Sequence, residues 1–314
     1  MKTAGNKGKK VKKVKTKIES VNDLIQMSKA VKEKKMVAGL SVVAAVFLTG
    51  FKLVIGILTG SLGILSEAMH SGLDLLAAVI TWFAVMISDM PADQNHQYGH
   101  GKIENLSALI ETILLLVTCI WIVYEAFSRL ISGNTHIEVT IWSYIVVISS
   151  ILIDISRSRA LSRVAEKYNS QALEADALHF STDIWSSAVV LLGLICAGFG
   201  YHLADSVAAL GVAIIVTYVS IRLGRRAIDA LLDKAPLSMH RQITGILENS
   251  EDICSYHDLR VRTSGADHFV DVTIHVDPGL SITEAHQVSH RVEELICRNI
   301  SRCVVQVHYE PDGE

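Results

Sequence analysis

Six apolar runs occupy the middle of this chain and constrain its fold more than any other feature. They cover residues 36–58, 62–88, 103–130, 139–155, 176–199 and 203–219. Each approaches the ~20 residues that an α-helix needs to cross the hydrocarbon layer of a bilayer. Backbone in hydrocarbon must satisfy its own hydrogen bonds, and a run of this length does so as a helix. Of the 314 residues, 50% are hydrophobic and 19% charged, and the apolar ones concentrate between Met36 and Arg222. An ordinary soluble domain is excluded over that stretch. The expectation is an α-helical membrane protein with six transmembrane helices over residues 36–222. A basic arm (1–35) precedes them, and a linker (223–236) leads to a soluble C-terminal domain (237–314).

Charge orients the helices. Residues 1–35 carry twelve Lys against three acids, while the rest of the chain is net acidic. Such an arm is expected to be disordered and to lie against anionic lipid rather than to bind nucleic acid. Lys102, the group Arg157, Arg159, Arg163 and Lys167, and the group Arg222, Arg225 and Arg226 fall on the same side as the arm. The links Thr59-Gly60-Ser61 and Gly200-Tyr201-His202 carry no Lys or Arg, and Arg129 alone edges the third link. The positive-inside rule then places both termini in the cytoplasm. No cleavable signal pattern precedes the first run, and the compact chain fits the plasma membrane of a prokaryote, its inner membrane. Cys119, Cys196, Cys254, Cys297 and Cys303 form no CxxC and no disulfide framework, so they read as free packing cysteines.

From Leu237 onward the pattern is that of a soluble α/β unit. A short amphipathic helix at 239–249 is followed by strands at 255–263 and 267–276, joined by Ser264-Gly265-Ala266. Pro278-Gly279 breaks the chain, and Ser281-x-x-Glu284 is a capping box opening a helix to about Asn299. A last strand covers 303–309. The order α-β-β-α-β predicts helices on one face of a three-stranded sheet, a ferredoxin- or metallochaperone-like layer pair.

Ionisable side chains inside apolar spans are costly and need a reason. His70 and Asp74 in the second span, and His179 and Asp183 in the fifth, each stand at i, i+4 and so share a helical face. Two helices can thus supply two imidazoles and two carboxylates, a tetrahedral donor set that suits Zn2+ better than Ca2+ or Mg2+. Histidine titrates near neutrality and must be neutral to bind metal, so metal and protons compete for the same site. Lys52 is expected to snorkel towards an interface. Glu67, one turn before His70, reads as a carboxylate at the outer interface or a relay to the site. Glu111, Asp154 and Asp205 are expected to pair with neighbours or to sit near an interface.

These motifs together resemble the cation diffusion facilitator family over nearly the whole chain after the arm. The resemblance rests on Ser66–Asp74 (SEAMHSGLD), on Asp93-x-x-His96 with Tyr98-Gly99-His100-Gly101-Lys102-x-Glu104, on His179-x-x-x-Asp183 and on Leu231-Leu232-Asp233-Lys234. It implies a homodimer, a cytosolic metallochaperone-like domain and alternating access driven by proton antiport. By resemblance, His70, Asp74, His179 and Asp183 form the transport site, in the two-His/two-Asp version linked to zinc. Asp93, His96 and His100 form a loop site. His257, His286, His308 and Glu310 match the cytosolic metal site, with Thr273 where some members place a bridging His and His275 as a substitute further along the strand. His268 and His290 are additional. Lys102 and Asp233 match a charge pair joining the two domains.

The expected function is therefore efflux of a divalent transition-metal cation, with Zn2+ as the transported and regulatory ion and H+ as the counter-ion. The same carrier could instead favour Cd2+, Fe2+, Mn2+ or Co2+, and a non-transporting metal sensor or scaffold is a further alternative. An enzyme is not expected: the chain has no HExxH, G-x-S-x-G or P-loop, and a catalytic zinc keeps an open position that four protein ligands would fill.

Overall fold

The computed structural model describes the backbone of residues 4–60, 62–132, 141–198 and 203–313. The side chains of residues 4–27 and of several residues within later helices, Arg129, Cys196 and Asp205 among them, lie outside the described residues, as do Ser61 and the link Gly200-Tyr201-His202. Six long helices come first: α1 (Ala4–Thr59), α2 (Leu62–Ser88), α3 (Lys102–Ser132), α4 (Ile141–Tyr168), α5 (Gln171–Gly198) and α6 (Leu203–Leu231). Among the described residues, three stretches are long and apolar enough to cross a membrane: Ser28–Thr59, Glu67–Ser88 and Lys102–Trp121.

The bundle has the polarity of a protein in lipid. Large apolar side chains such as Phe47, Leu58, Met69, Ile120 and Trp185 are exposed, whereas Lys52, Asp74, Glu111, Asp176, His179 and Asp183 are buried. In water such a surface would be an aggregation hazard. Where the helices meet, the buried residues are often small, as with Ala38, Ala45, Ala78, Ala165, Ala172 and Ala177. Small residues let helix backbones approach where lipid gives no hydrophobic drive to associate.

Several helices outrun the apolar runs that foretold them. The basic arm is helical from Ala4 rather than irregular, because Lys is a good helix former and no proline interrupts it. Helix α4 continues to Tyr168 and α6 to Leu231, so most of the expected linker is helical and only residues 232–236 separate α6 from α7. Hydropathy marks where lipid would end, not where the backbone stops coiling. Arg157 is likewise no surface cation: it is 6% exposed, donates to Ser41 Oγ at 3.0 Å and lies 3.5 Å over the Phe180 ring. Lys52 does not snorkel but donates to Ser71 Oγ at 2.8 Å and Glu67 Oε2 at 3.1 Å.

The C-terminal unit comprises α7 (Leu237–Glu248), β1 (Ser255–Ser264), β2 (Asp267–Val276), α8 (Ile282–Asn299) and β3 (Cys303–Pro311). The sheet order is β1-β2-β3, with β1 antiparallel and β3 parallel to β2. Val270, Val272, Ile274 and Val276 face one side and pack with Val288, Val292 and Ile296 of α8 and Ile243 and Leu247 of α7. The capping box forms as expected, with Glu284 N–H donating to Ser281 Oγ and Ser281 N–H to Glu284 Oε2. A β-bulge interrupts β1 between His257 and Arg260, where Asp258 takes φ 51°.

The β1–β2 turn sits directly on the start of α3. A Cβ at Gly101 would lie 2.3 Å from the Ser264 carbonyl oxygen, so only glycine permits this approach. Gly265 N–H donates to Asn105 Oδ1 at 3.4 Å. The Arg262 guanidinium lies 4.1 Å over the Tyr98 ring and 4.9 Å over that of Phe269, within cation–π range.

Candidate metal centres

Helices α2 and α5 each present an imidazole and a carboxylate one turn apart, and the bundle brings the two faces together. His179 Nε2 lies 3.0 Å from Asp74 Oδ1 and 3.7 Å from Asp183 Oδ2. His70 Nε2 lies 3.7 Å from Asp183 Oδ1 and 3.9 Å from Asp74 Oδ1. Donor atoms of His70, Asp74 and Asp183 all fall within 4.8 Å of one another, and His179 joins them through the two carboxylates. Ligands ~2.0–2.1 Å from a tetrahedral ion stand about 3.3 Å apart, so the cluster needs only small adjustments to enclose one. His179 Nδ1 and Asp183 Oδ2 are buried without a hydrogen-bond partner. Polar atoms left so are uncommon, and a cation between the carboxylates would satisfy the oxygen. His70 is the most accessible of the four, with 35% of its side chain exposed against 3% for His179.

A second cluster occupies the α2–α3 loop. His96 Nδ1 is 3.3 Å from Asp93 Oδ1 and His100 Nε2 is 3.4 Å from Asp93 Oδ2, with the two rings 4.4 Å apart. The His96 backbone N–H, at 2.6 Å, holds the Asp93 carboxyl below its usual range. All three sequence-expected residues therefore converge, on a loop fixed by an Asx-type turn.

The cytosolic cluster differs from the expected set. His257 Nδ1 is 2.9 Å from His275 Nε2, and Glu310 completes a group whose donor atoms lie within 4.8 Å of one another. His308 Nε2 stands 3.3 Å from Glu310 Oε1. His286 is not in this group; it sits on α8 beside His290, ring centroids 4.4 Å apart. Thr273 lies in register between His257 and His308 and supplies no imidazole. His275, paired with Glu310 across β2–β3, fills the gap from the next position on the same face. The axial separation of ~7 Å along the strand is closed because long side chains on diagonal positions reach one another.

Two family models match the chain: the Cation efflux transmembrane domain over residues 39–232 and the Cation efflux protein, cytoplasmic domain, over residues 236–312. The chain belongs to the cation diffusion facilitator family. Curated relatives include the cation-efflux pump FieF of Shigella flexneri serotype 5b, 32% identical over 254 residues that cover 81% of this chain and 84% of the relative. The FieF of Yersinia enterocolitica serotype O:8 is 31% identical over 256 residues, with the same shares covered. Among solved structures, the metal-bound C-terminal domain of the CzcD transporter from Thermotoga maritima matches at 26% identity and TM-score 0.24, covering 25% of this chain and 92% of that one. This cation diffusion facilitator is thus a cation efflux transporter with a helical transmembrane domain and a cytoplasmic α/β domain.

Further polar pairs tie the helices of this facilitator together. Lys34 Nζ, 2% exposed, bonds Asp89 Oδ1 at 2.7 Å and Glu104 Oε1 at 3.0 Å, and Glu104 Oε2 accepts from Ser170 Oγ at 2.6 Å. One buried knot thereby ties α1, the end of α2, α3 and the start of α5. The helical period hints at it, since Lys34, Ala38 and Ser41 share one face of α1, but its partners lie 55 and 70 residues away. Glu111 accepts from Thr81 and Ser107 hydroxyls. Asp154 pairs with Arg157 at 3.4 Å, in line with expectation. Lys102 Nζ reaches Asp233 at 3.0 Å, and Arg262 approaches the same carboxylate at 3.9 Å.

Proposed function

We propose that this facilitator exports Zn2+ in exchange for protons, by alternating exposure of the site formed by His70, Asp74, His179 and Asp183. The observation that carries the proposal is the convergence of two His-x-x-x-Asp faces on a buried point between α2 and α5. Two imidazoles and two carboxylates favour zinc over the hard cations, which want more oxygen ligands. An empty, fully ionised site is unfavourable away from water, so either the metal or protons must occupy it as access switches. Neutral imidazole is required for the metal-bound state and protons displace the metal. That competition couples the two fluxes.

The loop cluster of Asp93, His96 and His100 and the sheet cluster of His257, His275 and Glu310, with His308 at its edge, would bind Zn2+ as a resident ion. We place both termini in the cytoplasm of a plasma membrane, on the charge distribution of the loops, and the functional unit as a homodimer joined through the cytoplasmic domain. Export fits relatives that are named cation-efflux pumps.

The test is metal-stimulated proton flux in proteoliposomes with Zn2+, Cd2+, Mn2+ and Fe2+, comparing the natural chain with Asp183→Ala. Zinc-driven flux lost in the variant is the expected result. Flux driven by manganese or iron alone would retain the carrier and overturn zinc. No flux with any metal, from folded protein, would sink the exchange mechanism.

A further inference from the structure

Among the described residues, three basic side chains of the helical bundle are buried: Lys34, Lys52 and Arg157. Lys34 meets a carboxylate at 2.7 Å and Lys52 meets one at 3.1 Å. A buried arginine ordinarily grips a carboxylate with both prongs of its fork. Arg157 does not: its ion pair with Asp154 Oδ1 is 3.4 Å long and involves Nη1 alone. Its Nε and Nη2 donate to the Ser41 hydroxyl of α1, at 3.3 Å and 3.0 Å. Ser41 in turn donates to Asp176 Oδ2 at 3.4 Å, the acid one turn before His179 on α5. The guanidinium itself lies 3.5 Å over the Phe180 ring. That ring meets the imidazole of His179 edge-on, with centroids 5.5 Å apart and planes at 89°. One aromatic ring thus separates a fixed positive charge from a ligand of the buried centre.

We propose that Arg157 sets the affinity of the transport site, its fixed charge loosening the hold on the metal enough for release. Carboxylates and imidazoles around the site can take up or lose protons as its occupant changes. A guanidinium keeps its charge throughout. Buried charges are poorly screened, so a cation one ring away opposes a cation at the site. Passage through a site requires binding strong enough for the ion to enter and weak enough for it to leave. Arg157 touches no cargo and acts through space, held in position by Ser41 of α1, Asp154 of α4 and Phe180 of α5. The inference rests on His70, Asp74, His179 and Asp183 being the place where the cargo binds.

The test is zinc binding by equilibrium dialysis, on the full chain in detergent, reading the equivalent that Asp183→Ala removes. Arg157→Gln keeps a planar polar head and loses the charge; it should tighten that equivalent about tenfold or more. In proteoliposomes the same variant should lower both the half-saturating zinc concentration and the maximal proton flux, because release slows. Arg157→Lys retains the charge and should leave the affinity close to that of the natural chain. Adding Arg157→Gln to Asp154→Asn should tighten binding by a similar factor relative to Asp154→Asn alone. That pair leaves no acid stripped of its partner, so the comparison holds even where the single variant fails to fold. An arginine that only braces three helices would give a lower melting temperature with zinc bound no more tightly, and that result would overturn the proposal. So would equal tightening by Arg157→Lys and Arg157→Gln. A natural chain from which Asp183→Ala removes no bound zinc would overturn the transport site itself, and this inference with it.

Discussion

The helical and the sheet clusters of this facilitator use the same kinds of side chain, imidazole and carboxylate, in different surroundings. Between α2 and α5 the donors are held by helices, with Asp74, His179 and Asp183 buried and His70 half-buried, and are crowded by further buried acids. On the sheet, His257 is exposed and His275 and Glu310 are half-buried, on the face that α7 and α8 leave uncovered. Burial makes the first cluster dependent on an occupant, since uncompensated charge away from water is expensive. Solvent makes the second tolerant of being empty. The first is therefore suited to an ion that must be exchanged, and the second to an ion that adjusts a protein already able to work.

The sharpest way to break that contrast is to remove one imidazole from each. His179→Ala should reduce zinc-driven proton flux to the background of empty liposomes. His257→Ala should lower flux several-fold at most and chiefly change its dependence on zinc concentration. Equal loss in both variants would mean that the sheet cluster is as obligatory as the buried one.

The difference also explains what could be read in the sequence. A His-x-x-x-Asp spacing puts two donors on one helical face whatever the neighbours do, so the residues of the buried centre were visible from spacing alone. The loop cluster was as legible, its three donors falling within one short turn. The sheet cluster depends on three strands finding a common register, and no local pattern reports that. The register brings His275 beside His257 and Glu310, and His286 lies outside that triad, on α8. The same distance in sequence separates the partners of the Lys34–Asp89–Glu104 knot, and it gives Arg157 the look of a loop cation and Lys52 that of a snorkelling one. In the C-terminal unit the turn residues and the capping box announced the elements themselves.

Smaller perturbations sharpen the comparison at the contact between the two regions. Gly101→Val drives side-chain atoms into the Ser264 carbonyl, and overpacking of this kind costs about 1–3 kcal/mol. It should detach the β1–β2 turn from α3, seen as faster hydrogen exchange at Gly265 and Asn105 with the helices around the buried centre unchanged.

A weaker effect is expected from acid. Burial holds His268 below the usual imidazole range. The unfolded chain then takes up a proton near pH 6.5 that the folded chain refuses, so stability is present above that value and falls as pH drops through the folded pKa. Protection of the β2 amides, after correction for the intrinsic pH dependence of exchange, should decline as pH falls below about 6.5, and His268→Gln should flatten the change. The smallest effect belongs to Lys102→Ala. Its pair with Asp233 is 36% and 41% exposed, so its loss should cost less than about 1 kcal/mol in thermal unfolding, and a larger shift would mark the pair as buried in the working assembly.

The bulge in β1 sets a phase. Downstream of it, odd-numbered residues such as Leu259 and Val261 turn to the core; upstream, the even-numbered Tyr256 does so, leaving His257 on the open face. Asp258, in the left-handed conformation, is the added beat. Were Asp258 to pair as an ordinary strand residue, strict alternation back from Val261 would swing the imidazole into the apolar core beneath α7 and α8 and turn the tyrosine outward. Whether this strand offers a ligand at all is thus decided by counting, one residue more or fewer, before any chemistry of the histidine is considered.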